Sequence, residues 1–271
     1  MAGRVVGYGG SVYIGSQLIE DCEDIWNEYV DAQVTASADT TDFKVGIASA
    51  KFVCPADGLA NGDIIASEVI TPAIDISSYD KVMFWAKSSV AINTAGDLQI
   101  LLDEDALCAS PVTVNIPILS ANTWKFCSVA TTLTDYNATI SVGLKLTAND
   151  PGAFNVWIDE IRAAKTIAGV KSWKLDYVFD VVETTGFDSG GAKTYSPTLK
   201  GWSGSFEGYK DGAPLTIGTI VGLELQESST STQQYRGSAI ITGLHPSVSV
   251  DGLAVVSYDF QGTHGLEIPT A

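Results

Sequence analysis

The sequence predicts an all-β protein in which one small β domain is interrupted by a second. Three observations carry that expectation. Glycine and proline together make 35 of the 271 residues while only 17% are charged, a turn-rich composition that suits β architecture and not a disordered or coiled-coil chain. The apolar runs are short, recur at intervals of roughly 10–15 residues between turn clusters, and hold no helical period beyond a turn or two. Finally, the chain changes character partway. Residues 19–164 hold 7 Lys/Arg against 21 Asp/Glu and all four cysteines, whereas 1–18 with 165–271 hold 8 against 11. A chain of 271 residues can bury two separate cores.

The first strand is expected from Val5 to Ile19 (VVGYGGSVYIGSQLI), and its hairpin partner resumes only at Ile167 (IAGVKSWKLDYVFDVV). Joined directly, GSQLI and AGVKSWKLDY make one hairpin, so the inserted domain covers 20–164 and the host domain 1–19 with 165–271. Inside the insert, strands are expected at Ser49–Cys54, Ile64–Ile70, Lys81–Lys87, Leu98–Leu102, Val112–Ile116, Trp124–Val129, Ile140–Leu146 and Phe154–Ile161. Strands so spaced suit a sandwich or jelly roll. After the insert, Trp173, Leu175, Tyr177, Phe179 and Val181 alternate with mostly polar residues, which reads as a long strand with one apolar face. The polar, glycine-containing stretch Thr184–Thr198 is expected to be a long loop, and a loop of that length is usually functional or ordered by a partner. Strands at Leu199–Tyr209, Ile217–Gln226, Tyr235–Leu244 and Leu253–Gln261 complete the domain.

Composition also limits function. A net charge of −17 argues against gripping nucleic acid by phosphate neutralisation. No apolar run approaches 18 residues and the first 20 lack a basic stretch followed by an apolar one, so neither a membrane anchor nor a signal peptide is read. The protein is expected to be made in a host cytoplasm and kept there until release. Cys22, Cys54, Cys108 and Cys127 form no CxxC and have no histidine nearby, which removes a zinc site. They read as buried thiols, or as one or two disulfides formed after release. Asp103, Glu104 and Asp105 cluster after an apolar strand, but adjacent carboxylates in a turn do not give the separation that glycoside hydrolysis needs. No Ser/His/Asp set, phosphate loop or metal cluster is visible, so no enzyme is expected.

The order DCEDIWNEYV, FKVGIASAKF, ITPAIDISSYDKVMFWAKSS, LSANTWKFCSV and FNVWIDEIRAA resembles the galactose-binding-like jelly roll found in carbohydrate-binding modules and adhesive domains. That resemblance implies a structural calcium held by Asp21 or Glu23, by carbonyls around Asp42–Lys44, and by Asp159. Hard oxygen donors of this kind suit Ca²⁺; the alternative is that they are solvated acids of an acidic domain. Sugar rings stack on exposed aromatics, which nominates Trp26, Trp85, Trp124 and Trp157. Trp85, Trp124 and Trp157 lie in apolar strands and read first as core.

The closing run AIITGLHPSVSVDGLAVVSYDFQGTHGL, with TLKGWSGSFEGYKDG, resembles the major tail tube protein of long-tailed bacteriophages. Phe260, Gly262, Gly265 and Leu266 stand at its closing aromatic–glycine–leucine pattern, with His264 where glycine is frequent. The resemblance implies a β-sandwich that completes an inner barrel in a homo-oligomer of six, stacked as rings into a virion tail tube beside other tail proteins. DNA would pass through the lumen without specific binding. Asp176, Asp180 and Glu183 are the lumen candidates, and Asp188, Lys193 and Tyr195, from the polar stretch, would contact the next ring. The insert would project outward and touch host-surface glycans weakly. The alternative is a carbohydrate-binding or adhesive module anchored by the C-terminal β domain.

Overall fold

The computed structural model describes residues 9–28, 34–56, 59–228, 233–250 and 252–269. It is all-β, with sixteen described strands in two antiparallel sheets and one described helical turn, a short 3-10 segment at Ala106–Cys108. The chain divides into two compact units, Tyr13–Thr166 and Met1–Val12 with Ile167–Ala271. Val12 O accepts from Ile167 N at 2.9 Å, so the points where the chain leaves and re-enters are adjacent.

The 13–166 unit is a sandwich of two sheets. Its strands are β1 (Ser11–Glu20), β2 (Asn27–Glu28), β3 (Thr35–Asp39), β4 (Ser49–Cys54), β5 (Ile64–Ile74), β6 (Lys81–Ser88), β7 (Leu98–Asp103), β8 (Val112–Asn115), β9 (Lys125–Ala130), β10 (Thr139–Leu146) and β11 (Phe154–Thr166). One sheet runs β2-β5-β10-β7-β8. The other is organised by β11, which has two partners along one edge and one along the other. Phe154–Ile158 pairs β4, Ile161–Thr166 pairs β1, and β6 lines the opposite edge. Period-2 alternation supplies the core: Leu98, Ile100 and Leu102 of β7 and Val142, Leu144 and Leu146 of β10 face Phe52, Phe84 and Val156 across it.

Here the structure corrects the expected hairpin. Tyr13–Glu20 pairs Ile161–Thr166 and belongs to the 13–166 unit, not to a hairpin with the strand after Ile167. Alternation alone could not distinguish the two partners, because both are apolar strands of similar length. Val5–Tyr8 of the expected strand lie outside the described residues.

The second unit carries β12 (Val170–Glu183), β13 (Tyr195–Tyr209), β14 (Ile220–Gln226), β15 (Gln234–Ser247) and β16 (Val255–Glu267), in the order β12-β13-β16-β15-β14. Although β12 and β14 are far apart in that order, Trp173 of β12 donates from Nε1 to Gln226 O at 3.1 Å and meets Tyr235 edge-to-face at 6.0 Å. The sheet therefore curls into a roll. Glycines permit the curvature: a Cβ at Gly204 would lie 2.0 Å from Lys174 O, and one at Gly208 2.7 Å from Gly169 O. Inside the roll Phe206 stacks on Tyr258 (5.1 Å) and Trp202 lies against Phe260 (5.9 Å).

Candidate functional site

The outer half of the β12–β13 hairpin is the most unusual surface of the 167–271 unit. Alternation puts Tyr177, Phe179 and Val181 on one face of β12 and Asp176, Val178, Asp180 and Val182 on the other. Every one of these residues is exposed, Phe179 at 55% and Val181 at 61%. Tyr195 and Leu199 of β13 are exposed as well, Leu199 at 75%. The ladder slips between Phe179 and Val181, opposite Pro197, where Thr198 Oγ1 donates to Asp180 O at 3.1 Å. Proline cannot donate to the ladder, which accounts for the irregularity.

This geometry changes several sequence expectations. The polar stretch is a loop only over 184–194, because β13 already starts at Tyr195. Thr184 N donates to Thr194 O (2.8 Å) and Gly186 N to Ser189 Oγ (2.9 Å), so the loop is tied to itself. Asp188 and Lys193 lie in it; Tyr195 is a strand residue facing Glu183 across the ladder. The three acids do not share one face. Asp176 and Asp180 do, with Lys174 Nζ at 2.7 Å from Asp176, but alternation puts Glu183 with Tyr177, and its carboxylate meets Lys193 at 3.0 Å.

In the 13–166 unit the carboxylates nominated for calcium surround the loop between β3 and β4. Asp159 is fully buried, and its Oδ2 accepts Lys44 N (2.6 Å) and Val45 N (3.0 Å), while Oδ1 has no partner. Glu23 Oε1 accepts Ile47 N at 2.8 Å. Gly46 between them has φ +68°, and a Cβ there would fall 1.6 Å from Glu23 Oε1. The loop thus presents amides, not carbonyls, to both carboxylates. Asp21 takes no part, since its Oδ1 accepts Glu23 N in a local turn (3.2 Å), and Asp42 O accepts Ser49 Oγ (2.7 Å). Among the described residues no three His, Cys, Asp or Glu side chains are placed to hold a metal ion. Of the predicted set only the carboxylates of Asp159 and Glu23 border the loop together, and the carbonyls expected around Asp42–Lys44 do not complete a ligand shell with them. Burial pushes Asp159 up to about 7 against the pull of its two amides, and burial likewise pushes Glu20 up to about 7. Both shifts are the cost of holding a carboxylate away from water.

Of the four nominated tryptophans, Trp26, Trp85 and Trp157 are buried and Trp124 is half-buried. Trp26 is buried edge-on to Phe52, and Trp85 likewise to Phe126. Trp124 and Trp157 spend their indole N–H groups on Asp42 Oδ1 (2.6 Å) and Asp39 Oδ2 (3.0 Å). Lys87 and Lys51 lie over the Trp157 ring at 4.5 and 5.2 Å, and Lys87 also bonds Asp42. Burial raises Asp39, but hydrogen bonds from Thr41, Trp157 and Lys51 outweigh it and hold the carboxyl well below its usual range. This network pins the loop to the sheet. Sequence reasoning missed it because its members come from β3, β4, β6, β11 and loops, with no local spacing in common. The exposed large apolar side chains of this unit are all aliphatic among the described residues; Tyr29 lies outside them. All four cysteines are free and buried, and burial pushes the thiols of Cys54 and Cys108 up to about 12 and about 11. Asp103 accepts Ser110 N (2.6 Å) and Glu104 accepts Ala138 N (2.6 Å), so that acidic trio organises turns.

Fold and surface together describe an all-β chain of two units, one a sandwich and the other a roll with an uncovered hairpin. No protein-family model matches the sequence, and no curated protein matches it. Solved structures give distant likenesses. A chain of the tail of an empty GTA particle, with C6 symmetry, is 18% identical over 40% of this chain and 87% of its own, with TM-score 0.35. A family 30 carbohydrate-binding module is 14% identical over 57% and 90%, with TM-score 0.36. A putative sugar-binding protein from Bacteroides thetaiotaomicron is 13% identical over 53% and 86%, with TM-score 0.35. At such scores these likenesses decide nothing about function. Among the described residues no helix is long and apolar enough to cross a membrane.

Proposed function

We propose that the chain is a structural protein of a phage virion, whose 167–271 unit associates side by side into rings, expected as hexamers, that stack into a hollow tail tube for DNA. One observation carries this reading: the outer half of the β12–β13 hairpin is exposed on both faces, with Tyr177, Phe179 and Val181 on one and Val178 and Val182 between the acids of the other. A two-stranded ribbon by itself is marginal in water, and a monomer rarely leaves such a patch uncovered. β12 is also the terminal strand in the order of its unit, with one edge open to pairing. A neighbouring copy would cover the apolar residues and extend the sheet, and β-closure around a ring removes every such edge. The resemblance of the closing run to tail tube proteins supports the same reading.

Within this reading Asp176 and Asp180, which share a face, are the bore-facing acids. A mildly negative wall repels phosphate and lets a duplex slide without sticking. The 13–166 unit then sits outside the wall, with no catalytic role. For it we propose weak host-surface glycan contacts through polar loop edges, because among its described residues no ring is fully exposed for stacking, and a calcium ion held at Asp159 with Glu23. Polyvalence along a tube would turn weak affinity into retention.

Negative-stain microscopy with light scattering of the purified chain tests assembly. Rings or hollow tubes from the wild type, and monomers from Phe179→Asp/Val181→Asp with an intact β circular dichroism spectrum, are the expected results. A wild-type chain that stays monomeric at high concentration overturns the reading. Assembled tubes that bind nothing on a glycan array would end the proposal for the insert.

A further inference from the structure

The connection between β7 and β8 folds back over the outer face of the five-stranded sheet, against β5, β7 and β10. Asp105, Ala106, Leu107, Ala109 and Ser110 are all exposed, and within 105–110 only Cys108 is buried. Beneath it, register sets Leu101, Gly143 and Ser67 in one row across β7, β10 and β5, and Asp103, Ser141 and Val69 in the next. Alternation with Ile100 and Leu102 turns Leu101 away from the sandwich core, yet it is fully buried, as are Ser67 and Ser141. Gly143 leaves a pit in its row, and Cys108 fills it: a Cβ at 143 would lie 2.9 Å from Cys108 Sγ.

Two side chains of the sheet fasten this segment. Asp103 accepts Asp105 N through Oδ1 (3.2 Å) and Ser110 N through Oδ2 (2.6 Å), so one carboxylate holds both ends. Ser141 Oγ donates to Asp105 O at 2.7 Å and accepts Cys108 N at 3.3 Å. Backbone strain works against them. Leu107 (φ 61°) and Cys108 (φ 52°) are consecutive non-glycine residues in the left-handed region, a conformation that lasts only where the surroundings impose it. A segment that buries one small side chain and carries such strain opens at low cost, while the sheets around it stay folded. The other thiols differ: Cys22, Cys54 and Cys127 lie in the sandwich core and Cys108 does not. While the segment is closed, burial pushes the Cys108 thiol up to about 11 and keeps it unreactive.

We infer that 105–110 is a strap that opens as a unit, withdrawing Cys108 from the Gly143 pit and uncovering a shallow trough of Leu101, Gly143 and Ser67 while the sandwich stays intact. This opening belongs to the 13–166 unit and does not require that the chain build a tube. An aromatic disulfide that labels free thiols tests it on the native chain. One cysteine is expected to react roughly a hundredfold faster than the other three, and Cys108→Ser is expected to abolish that phase. Asp103→Asn weakens the hold on both ends and should quicken the phase about tenfold, with an unchanged β circular dichroism spectrum. Leu107→Gly relieves left-handed strain and should slow it about fivefold; in a merely loose loop, glycine would add mobility and speed labelling. Labelling of Cys108 at the rate of the core thiols overturns the inference. So does a folded Asp103→Asn that labels at the wild-type rate, or a Leu107→Gly that labels as fast as wild type or faster.

Discussion

Gly262 sits under the indole of Trp202, and the consequence of adding one methyl there can be worked out. A Cβ at 262 would lie 1.9 Å from Trp202 Cε2 and 2.1 Å from Cδ2. Ordinary carbon contacts are about 3.5–4.0 Å, so the ring would have to retreat by about 2 Å. It has nowhere to go. Trp202 is buried, leans on Phe260, and donates from Nε1 to His264 O at 3.2 Å. Gly237 also lies close to the ring, its Cβ position 2.8 Å from Cζ2. Overpacking of this kind costs about 1–3 kcal/mol, and losing the indole hydrogen bond adds about 1 kcal/mol. Gly262→Ala is therefore expected to destabilise the unit by about 3 kcal/mol, which lowers its calorimetric transition by roughly 12 °C for a unit of this size. Gly265→Ala is the control, since a Cβ there meets nothing within 4 Å; its transition should stay within about 2 °C of wild type. Replacing the ring separates the cause: Trp202→Leu should cost less in the Gly262→Ala background than alone, with a coupling of about 1 kcal/mol or more. A loss below about 1 kcal/mol for Gly262→Ala, or strict additivity, would refute the steric reasoning.

Asp159 makes stability depend on pH. Its folded value of about 7 lies above the unfolded 3.8, so its contribution is full below about pH 4 and is lost as pH rises through 7, by at most about 4 kcal/mol. The 13–166 unit should melt lower at pH 7.5 than at pH 5, Asp159→Asn should flatten that slope, and bound calcium, which requires the ionised form, should reverse it. A chelator that leaves the melting temperature unchanged at pH 7.5 would remove the metal. Gly46→Ala combines a strained φ of +68° with a clash on Glu23 and should cost about 2 kcal/mol or more in urea unfolding; a neutral result would mean that the loop is not held as described. Trp157→Phe removes the indole bond to Asp39 and should cost about 1.5 kcal/mol, an N–H lost to a charged acceptor. Equal stability would show that the Asp39–Lys51 pair suffices.

Local signals were legible. Ser49–Cys54 appears as a strand with the ends expected, and the apolar alternation of β7 and β10 maps onto the sandwich core. Trp85 and Trp157 are buried, as their apolar strands implied. Where ends moved, a partner moved them. β11 runs on to Thr166 because β1 pairs it there, and β13 starts at Tyr195 because Val181–Glu183 pairs it across an irregularity at Pro197. The short β2 and the strand β3 were not anticipated, since each is held by pairing more than by its own pattern. The Asp39–Trp157–Lys87–Asp42 network was invisible for the same reason, and Glu183 changed face because of a single-residue parity.

By itself the sequence determined the all-β class, the acidic and cysteine-bearing middle stretch, and the strands with a strong alternation of their own, because composition and two-residue alternation are written locally. Only the tertiary structure decided what Tyr13–Glu20 pairs with, that the second sheet rolls until Trp173 reaches Gln226, and which apolar residues remain uncovered. Those depend on contacts between residues far apart in the chain, where many partners of equal apolarity compete and only packing separates them.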